Sequence, residues 1–178
     1  MGAHELLSSL GLREVHAEAF LKDDFNEAVF TRLDVEHYNA RTDGKPFDME
    51  GFMTDATGYK STFMPYAEVA DMFIAGHYWA EGSPFLFTRE DMKSASWNVK
   101  VVADVSCDID GPVACTLRPS TIAEPLYGYN PSTESECAMD DPSGITVMAV
   151  DNLPCELPRD ASHGFGKEMM AHVIPLLV

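Results

Sequence analysis

The run Val99-Lys-Val-Val-Ala-Asp-Val105 constrains this chain more than any other stretch. It is β-branched, nearly uncharged and seven residues long, the pattern of a strand covered on both faces in a parallel sheet. The residues that follow, Ser106, Cys107, Asp108, Asp110, Gly111 and Pro112, cannot continue it. In open α/β sheets ligands sit just beyond the carboxyl ends of the strands. A carboxylate placed there either caps a loop or serves a site.

A second buried strand is expected over Asp71–Trp79, running into a loop at Gly82, Ser83 and Pro84. Thr88-Arg-Glu-Asp91 opens a helix, with Thr88 as cap and the acids at its positive end. Strand, helix and strand within so short a stretch form a βαβ unit, whose strands are parallel. Gly76–Trp79 and Ser106–Asp108 are then neighbours at one sheet edge. Ahead of this unit, Ala3, Leu6, Leu7 and Leu10 share one helix face, and Gly11 ends the helix. Arg13–Val15 and Phe30–Val35 are strand-like, Glu18–Lys22 is a short helix, and Tyr38–Phe47 reads as a polar loop. Short helical pieces fill Asp48–Phe63, and a helix enters through Pro65. Leu117–Ser143 reads as a long ordered loop, Gly144–Asp151 as a strand and Arg159–Leu177 as a final helix weakened by Gly164 and Gly166.

At 178 residues the chain suffices for one real core. Its 29 acids against 12 bases give a formal charge of −17, which argues against nucleic acid and anionic membrane surfaces. No apolar run approaches the roughly 20 residues of a membrane span. The opening residues lack the basic region of a signal peptide. Cys107, Cys115, Cys137 and Cys155 form no C-x-x-C pair, so reduced thiols in a cytoplasmic protein are expected, and no metal site.

Several segments together resemble the saccharopine dehydrogenase family, including the lysine–2-oxoglutarate reductase half of the bifunctional enzyme. The wider superfamily holds alanine dehydrogenase and the NAD-binding domain of transhydrogenase. The segments are Pro65-Tyr66 with Ile74-Ala-Gly-His-Tyr-Trp79, Phe87-Thr-Arg-Glu-Asp91, Val102-Ala-Asp-Val-Ser-Cys-Asp108, and Val150-Asp-Asn-Leu-Pro154 with Leu157-Pro-Arg-Asp-Ala-Ser162. The resemblance implies an α/β chain with a Rossmann-like parallel sheet and NAD or NADP as cofactor. It implies hydride transfer at a carbon–nitrogen bond of an amino-acid substrate, with saccharopine leading and alanine or another amino acid second. A glycine-rich fingerprint normally lies between the first strand and first helix. Here the helix is present without that strand, and Gly2 and Ala3 look like the fingerprint's tail. The expected organisation is a partial NAD(P)-binding domain over 1–130, lacking its first strand. A strand–helix segment over 131–178 follows, which in the family packs on an N-terminal substrate domain. The chain is therefore expected to be the C-terminal portion of such an enzyme, inactive alone and self-associating through 144–178. A non-catalytic interaction module is the reading from a different class.

The resemblance places Gly2 and Ala3 against the cofactor pyrophosphate and Asp34 on its adenosine ribose. It places Gly76, His77, Tyr78, Ser106 and Cys107 along the cofactor and Asp108 beside the nicotinamide, as the residue that matters for turnover. Each has a plain structural alternative: a turn-capping aspartate at 108, a surface acid at 34, a packed ring at 78, a satisfied histidine at 77. Trp79 is read as packing. Cys107 lacks a neighbouring base or cationic field, so a small buried thiol is expected rather than a nucleophile. Asp104 lies inside the strand and is expected to make a structural hydrogen bond, because an unpaired buried carboxylate is costly.

Overall fold

The computed structural model describes residues 2–177 and has a mixed α/β architecture. Helix α1 (Gly2–Ser9) closes as its sequence demands. Gly11 turns left-handed at φ +78°, and the Leu12 amide reaches back to the Leu7 carbonyl at 3.2 Å. Leu6 and Leu10 stay exposed, so the apolar stripe of α1 is only partly covered. Strand β1 (Arg13–Glu14), helix α2 (Ala17–Lys22) and strand β2 (Val29–Phe30) follow, with β1 and β2 paired in parallel as a separate two-stranded sheet.

The expected strand over 30–35 is cut short, because the chain turns at Asp34 into helix α3 (Val35–Tyr38). The Asp34 amide donates to His37 Nδ1 at 2.8 Å, and the His37 amide donates to the Asp34 carbonyl at 2.9 Å. Such local bonds compete directly with a ladder. The polar stretch after Tyr38 is not all loop. Strand β3 (Asn39–Arg41) is followed by helix α4 (Met49–Thr54), which Asp48 caps by accepting from the Gly51 amide. Strand β4 (Tyr59–Ser61) then pairs antiparallel with β3, and Arg41 stacks over the Tyr59 ring. Apolar cover comes from Phe47 and Phe52, whose rings lie 5.5 and 5.0 Å from that of Tyr59. Helix α5 (Met64–Val69) starts on Pro65 as expected.

Strand β5 (Met72–Ala75) and strand β6 (Val101–Asp104) are parallel neighbours, in register Met72↔Val101 to Ala75↔Asp104. The crossover between them holds a single 3-10 turn, Asp91–Lys93, in place of the expected helix. Thr88 and Asp91 cap one another there: the Asp91 amide donates to Thr88 Oγ1, and the Thr88 amide and hydroxyl donate to Asp91 Oδ2. Phe63, Phe73, Phe87 and Trp97 pack beneath this crossover with neighbouring ring centroids 4.7–6.1 Å apart. They form the aromatic heart of the core.

Two expectations about the second half are corrected. The stretch 117–143 carries a hairpin of strand β7 (Leu126–Asn130) and strand β8 (Ser135–Cys137). Tyr127 and Tyr129 are buried on it. At Gly128 a Cβ would meet the Cys137 and Ala138 carbonyls at 2.7 and 2.8 Å, so only glycine allows the two backbones this close. Strand β9 (Ile145–Met148) was expected to stand apart from the nucleotide-side sheet, yet it lies in its middle. The sheet order is β5-β6-β9-β7-β8, with β9 parallel to β6 and antiparallel to β7. Ile145 and Val147 therefore gain their cover from the sheet's own core. Helix α6 (Pro158–Glu168) runs on through Met169–Val173 and Ile174–Leu176 with no buried side chain.

The expected structural role of Asp104 is met in full. Its side chain is 0% exposed. Oδ1 accepts from Ser106 Oγ at 2.6 Å and from the Cys107 amide at 3.0 Å, and Oδ2 accepts from Thr116 Oγ1 at 2.6 Å. Hydrogen bonds to a charged group contribute about 1.5–3 kcal/mol each. Thr116→Val, which keeps the shape and removes the donor, should lower the unfolding free energy by about 2 kcal/mol. Urea denaturation followed by circular dichroism reads this, and an unchanged midpoint would show that the carboxylate does not depend on Thr116.

Candidate functional site

The parallel strands β5, β6 and β9 end on one side of the sheet, so the segments after Ala75, Asp104 and Met148 share one edge. Beside the first of them opens a cleft of about 1710 Å³. Gly2, Ala3, Asp34, Gly76, His77 and Tyr78 all line it, although they come from three separate stretches of chain. The lining includes Val105 but not Ser106, Cys107 or Asp108, which stand one step further round the end of β6.

Each residue has a distinct environment. Asp34 begins α3 with its carboxylate largely in solvent and 3.9 Å from Arg32 Nε. Tyr78 is 86% exposed. Trp79 behaves as packing: its indole N–H donates to the Ser83 carbonyl at 3.2 Å and its ring lies 5.6 Å from that of Phe85. His77 sits edge-on to Tyr38 at 6.2 Å. Its Nε2 is buried and lacks a partner among the described residues. Burial pushes the His77 pKa down, against the pull of the Asp104 and Asp108 carboxylates. Thr31 Oγ1, also on the cleft, is the second buried polar atom there without a partner among the described residues. Native interiors leave few such groups, and a ligand is one way to satisfy them. Sequence reasoning missed Thr31, whose only signal was its place in a strand-like run.

The loop after β6 is held by its own side chains. Ser106 is turned onto Asp104. Cys107 adopts φ +52° and its thiol donates to the Ala149 carbonyl at 3.1 Å. Burial pushes that thiol's pKa up, and the carboxylates of Asp104, Asp151 and Asp108 push it further. A thiol so held is a poor nucleophile at neutral pH. At Asp108 the turn is closed by backbone, the Gly111 amide donating to the Asp108 carbonyl at 3.0 Å. No donor among the described residues reaches the Asp108 carboxylate, so capping does not account for it.

Two measurements follow from these environments. A histidine whose folded pKa is depressed contributes stability that is complete above its unfolded pKa, near 6.5, and is lost as pH falls through the folded value. Stability should therefore decline below about pH 6.5, and His77→Gln should flatten that decline in urea titrations at stepped pH. An equal slope in the variant would assign the acid sensitivity elsewhere. Iodoacetamide at pH 7.5 should modify the exposed Cys155 well before Cys107, by peptide mass mapping. Faster labelling of Cys107 would restore it as a reactive thiol.

No family model matches the chain. Curated relatives do. The chain is 30% identical over 139 residues to an alpha-aminoadipic semialdehyde synthase of Arabidopsis thaliana, covering 74% of this chain and 12% of that protein. It is 26% identical over 202 residues to the mitochondrial alpha-aminoadipic semialdehyde synthase of Mus musculus, covering 99% of this chain and 22% of the relative. It is 28% identical over 114 residues to a saccharopine dehydrogenase [NAD(+), L-lysine-forming] of Candida albicans, covering 63% and 28%. The chain thus spans well under a third of the length of each of these relatives. Taken with the α/β fold, they support the saccharopine dehydrogenase family for this chain.

Proposed function

We propose that these residues form the dinucleotide-side portion of an amino-acid oxidoreductase that moves a hydride at the carbon–nitrogen bond of saccharopine or a close analogue. The observation that carries this reading is the convergence of Gly2–Ala3, Asp34 and Gly76–Tyr78 on one cleft beside the carboxyl end of a parallel strand. The names of the relatives, one of which includes NAD(+), supply the substrate and cofactor class.

The residues present suit a dinucleotide. Gly2 and Ala3, at the start of α1, line the cleft, where the helix-start amides would receive an anion such as a pyrophosphate. The exposed Asp34 carboxylate accepts from ribose hydroxyls. Backbone at Gly76–Tyr78 and the unpartnered His77 Nε2 and Thr31 Oγ1 offer polar contacts along the cleft wall. Bound NAD or NADP would supply the hydride. Ser106 and Cys107 hold the loop at the end of β6, and Asp108, with its carboxylate unengaged, orients the reacting end. A division at 130–131 would cut one sheet, because β8 and β9 pair with β7 and β6, so α6 is the element left to pack elsewhere.

The test is direct. Millimolar NADH or NADPH should shift the amide resonances of Gly2, Asp34 and Gly76–Tyr78 and leave Gly128 still. The dissociation constant should be weaker than about 0.1 mM, roughly −5.5 kcal/mol, and lysine plus 2-oxoglutarate should give no turnover. No shift with either dinucleotide removes the cofactor reading. Micromolar binding with turnover removes the reading as an inactive portion.

We also propose self-association through the unburied α6 region. Leu157, Phe165, Met170, Leu176 and Leu177 are all exposed there. Apolar patches of this kind mark a missing partner. Light scattering should show a dimer that Phe165→Ser with Met170→Ser converts to monomer, whereas a monomeric wild type would overturn this.

A further inference from the structure

NADH and NADPH differ in one group, a phosphate on the 2′-oxygen of the adenosine ribose. The choice between them is made where that ribose sits, which on the dinucleotide reading is Asp34. The charges there oppose a phosphate. The Asp34 carboxylate stands largely in solvent at the head of α3, with Arg32 Nε 3.9 Å away. Glu36, in the first turn of α3, and Asp55, which closes α4, line the same cleft. Asp55 accepts from the Thr57 amide and hydroxyl, bonds that hold its carboxyl below its ordinary value and keep it charged. Among the described residues, Lys22 and Arg32 are the only lysine or arginine side chains lining the cleft. Each already faces a carboxylate, Lys22 that of Glu18 at 3.7 Å and Arg32 that of Asp34. The next cations along the chain are held elsewhere: Arg41 grips Asp43 through two nitrogens at 2.9 and 2.8 Å, and Lys45 lies 3.4 Å from the same carboxylate. His37 is turned onto the Asp34 amide, its Nδ1 accepting at 2.8 Å.

We propose that the Asp34–Arg32 pair selects the coenzyme. The cleft takes NADH and rejects NADPH, and Arg32 is the side chain that would receive a ribose phosphate if Asp34 did not hold it. The inference rests on the dinucleotide reading and adds to it which dinucleotide is bound. A carboxylate can accept from a ribose hydroxyl. A phosphate in place of that hydroxyl removes the donor and brings about −1.5 to −2 charges against the carboxylate. The same phosphate would also lie in a cleft that Glu36 and Asp55 share. Arg32 has the planar fork that suits a phosphate. Its pairing with Asp34 is exposed and long, and such pairs are weakly held. Loss of the Asp34 carboxylate is therefore enough to free Arg32 and to reverse the local preference.

The test is to titrate NADH and NADPH separately into the 178-residue chain and follow the amide resonances of Leu33, Asp34 and Val35. NADPH should bind at least about tenfold more weakly than NADH, or show no binding where NADH does. Because the rejection is electrostatic and exposed, the gap should narrow when salt is raised from about 0.05 M to about 0.5 M. Asp34→Asn should weaken NADH, strengthen NADPH and so close or invert the gap. Adding Arg32→Ala to that variant should abolish the gain in NADPH. Both side chains are exposed, and far-ultraviolet circular dichroism checks that the variants stay folded. Equal binding of the two dinucleotides, or tighter binding of NADPH, overturns the selection while leaving the dinucleotide reading in place. A gain in NADPH binding that survives Arg32→Ala overturns the role of Arg32. Binding of neither dinucleotide removes the dinucleotide reading itself, and this inference with it.

Discussion

The buried Asp104 carboxylate is the interaction on which the arrangement at the sheet edge depends. A carboxylate taken fully out of water is very costly unless its lone pairs are filled. Here three donors fill them, one from the strand's own exit, one from the next backbone amide and one from Thr116 twelve residues on. The chain beyond Val105 must curl back to deliver Ser106 and the Cys107 amide, which holds Cys107 in a left-handed conformation. From that turn the Cys107 thiol reaches the Ala149 carbonyl just past β9, tying two strand ends together. Asp108 is carried along by this geometry and does not help to make it.

The same carboxylate organises the local electrostatics. Asp104 and Asp108 favour a proton on His77 while burial disfavours it, and burial prevails. They also oppose ionisation of Cys107, and Asp104 adds to the burial that pushes the Cys115 thiol up to about 12. The strand end is thus a place where thiols stay protonated and histidine tends to neutrality. Such a setting suits hydrogen-bond donation and orientation better than nucleophilic attack.

What the sequence disclosed follows from range. The α1 stripe with Gly11, the parallel β5–β6 pair and the structural bond of Asp104 were legible because periodicity, local capping and the cost of a buried charge act over a few residues. β9 was misplaced because its four residues say that a strand exists and not which strand it joins. That choice rests on the pairing of Val101 with Thr146, forty-five positions apart. The β7–β8 hairpin was hidden by turn residues. Asn130 and Gly128 resemble loop chemistry, yet Asn130 Oδ1 accepts from the Ser132 amide to shape the turn, and Gly128 permits a close backbone contact. At the site, Gly2, Ala3, Asp34 and Gly76–Tyr78 line one cleft, whereas Ser106, Cys107 and Asp108 lie outside its lining. Thr31 carried no signal, since a threonine in a short strand is ordinary until its hydroxyl is found buried and unpartnered.

The position of β9 also alters how the C-terminal segment relates to the site. A strand lying apart from the sheet would leave 150–177 free to pack anywhere. Because β9 lies between β6 and β7, the chain leaves it at the same edge as Asp104 and Ala75. It then forms a second, smaller cavity of about 720 Å³, lined by Val105 from β6, by Val150 and Asp151, and by Leu157 and Ala161 at the start of α6. Val105 lines both cavities. One residue past Asp104 therefore separates the cleft beside β5 from the space under α6. The start of α6 and the candidate site are thus brought to one edge of the sheet, with Val105 between them, by a strand whose place in the sheet its own four residues do not reveal.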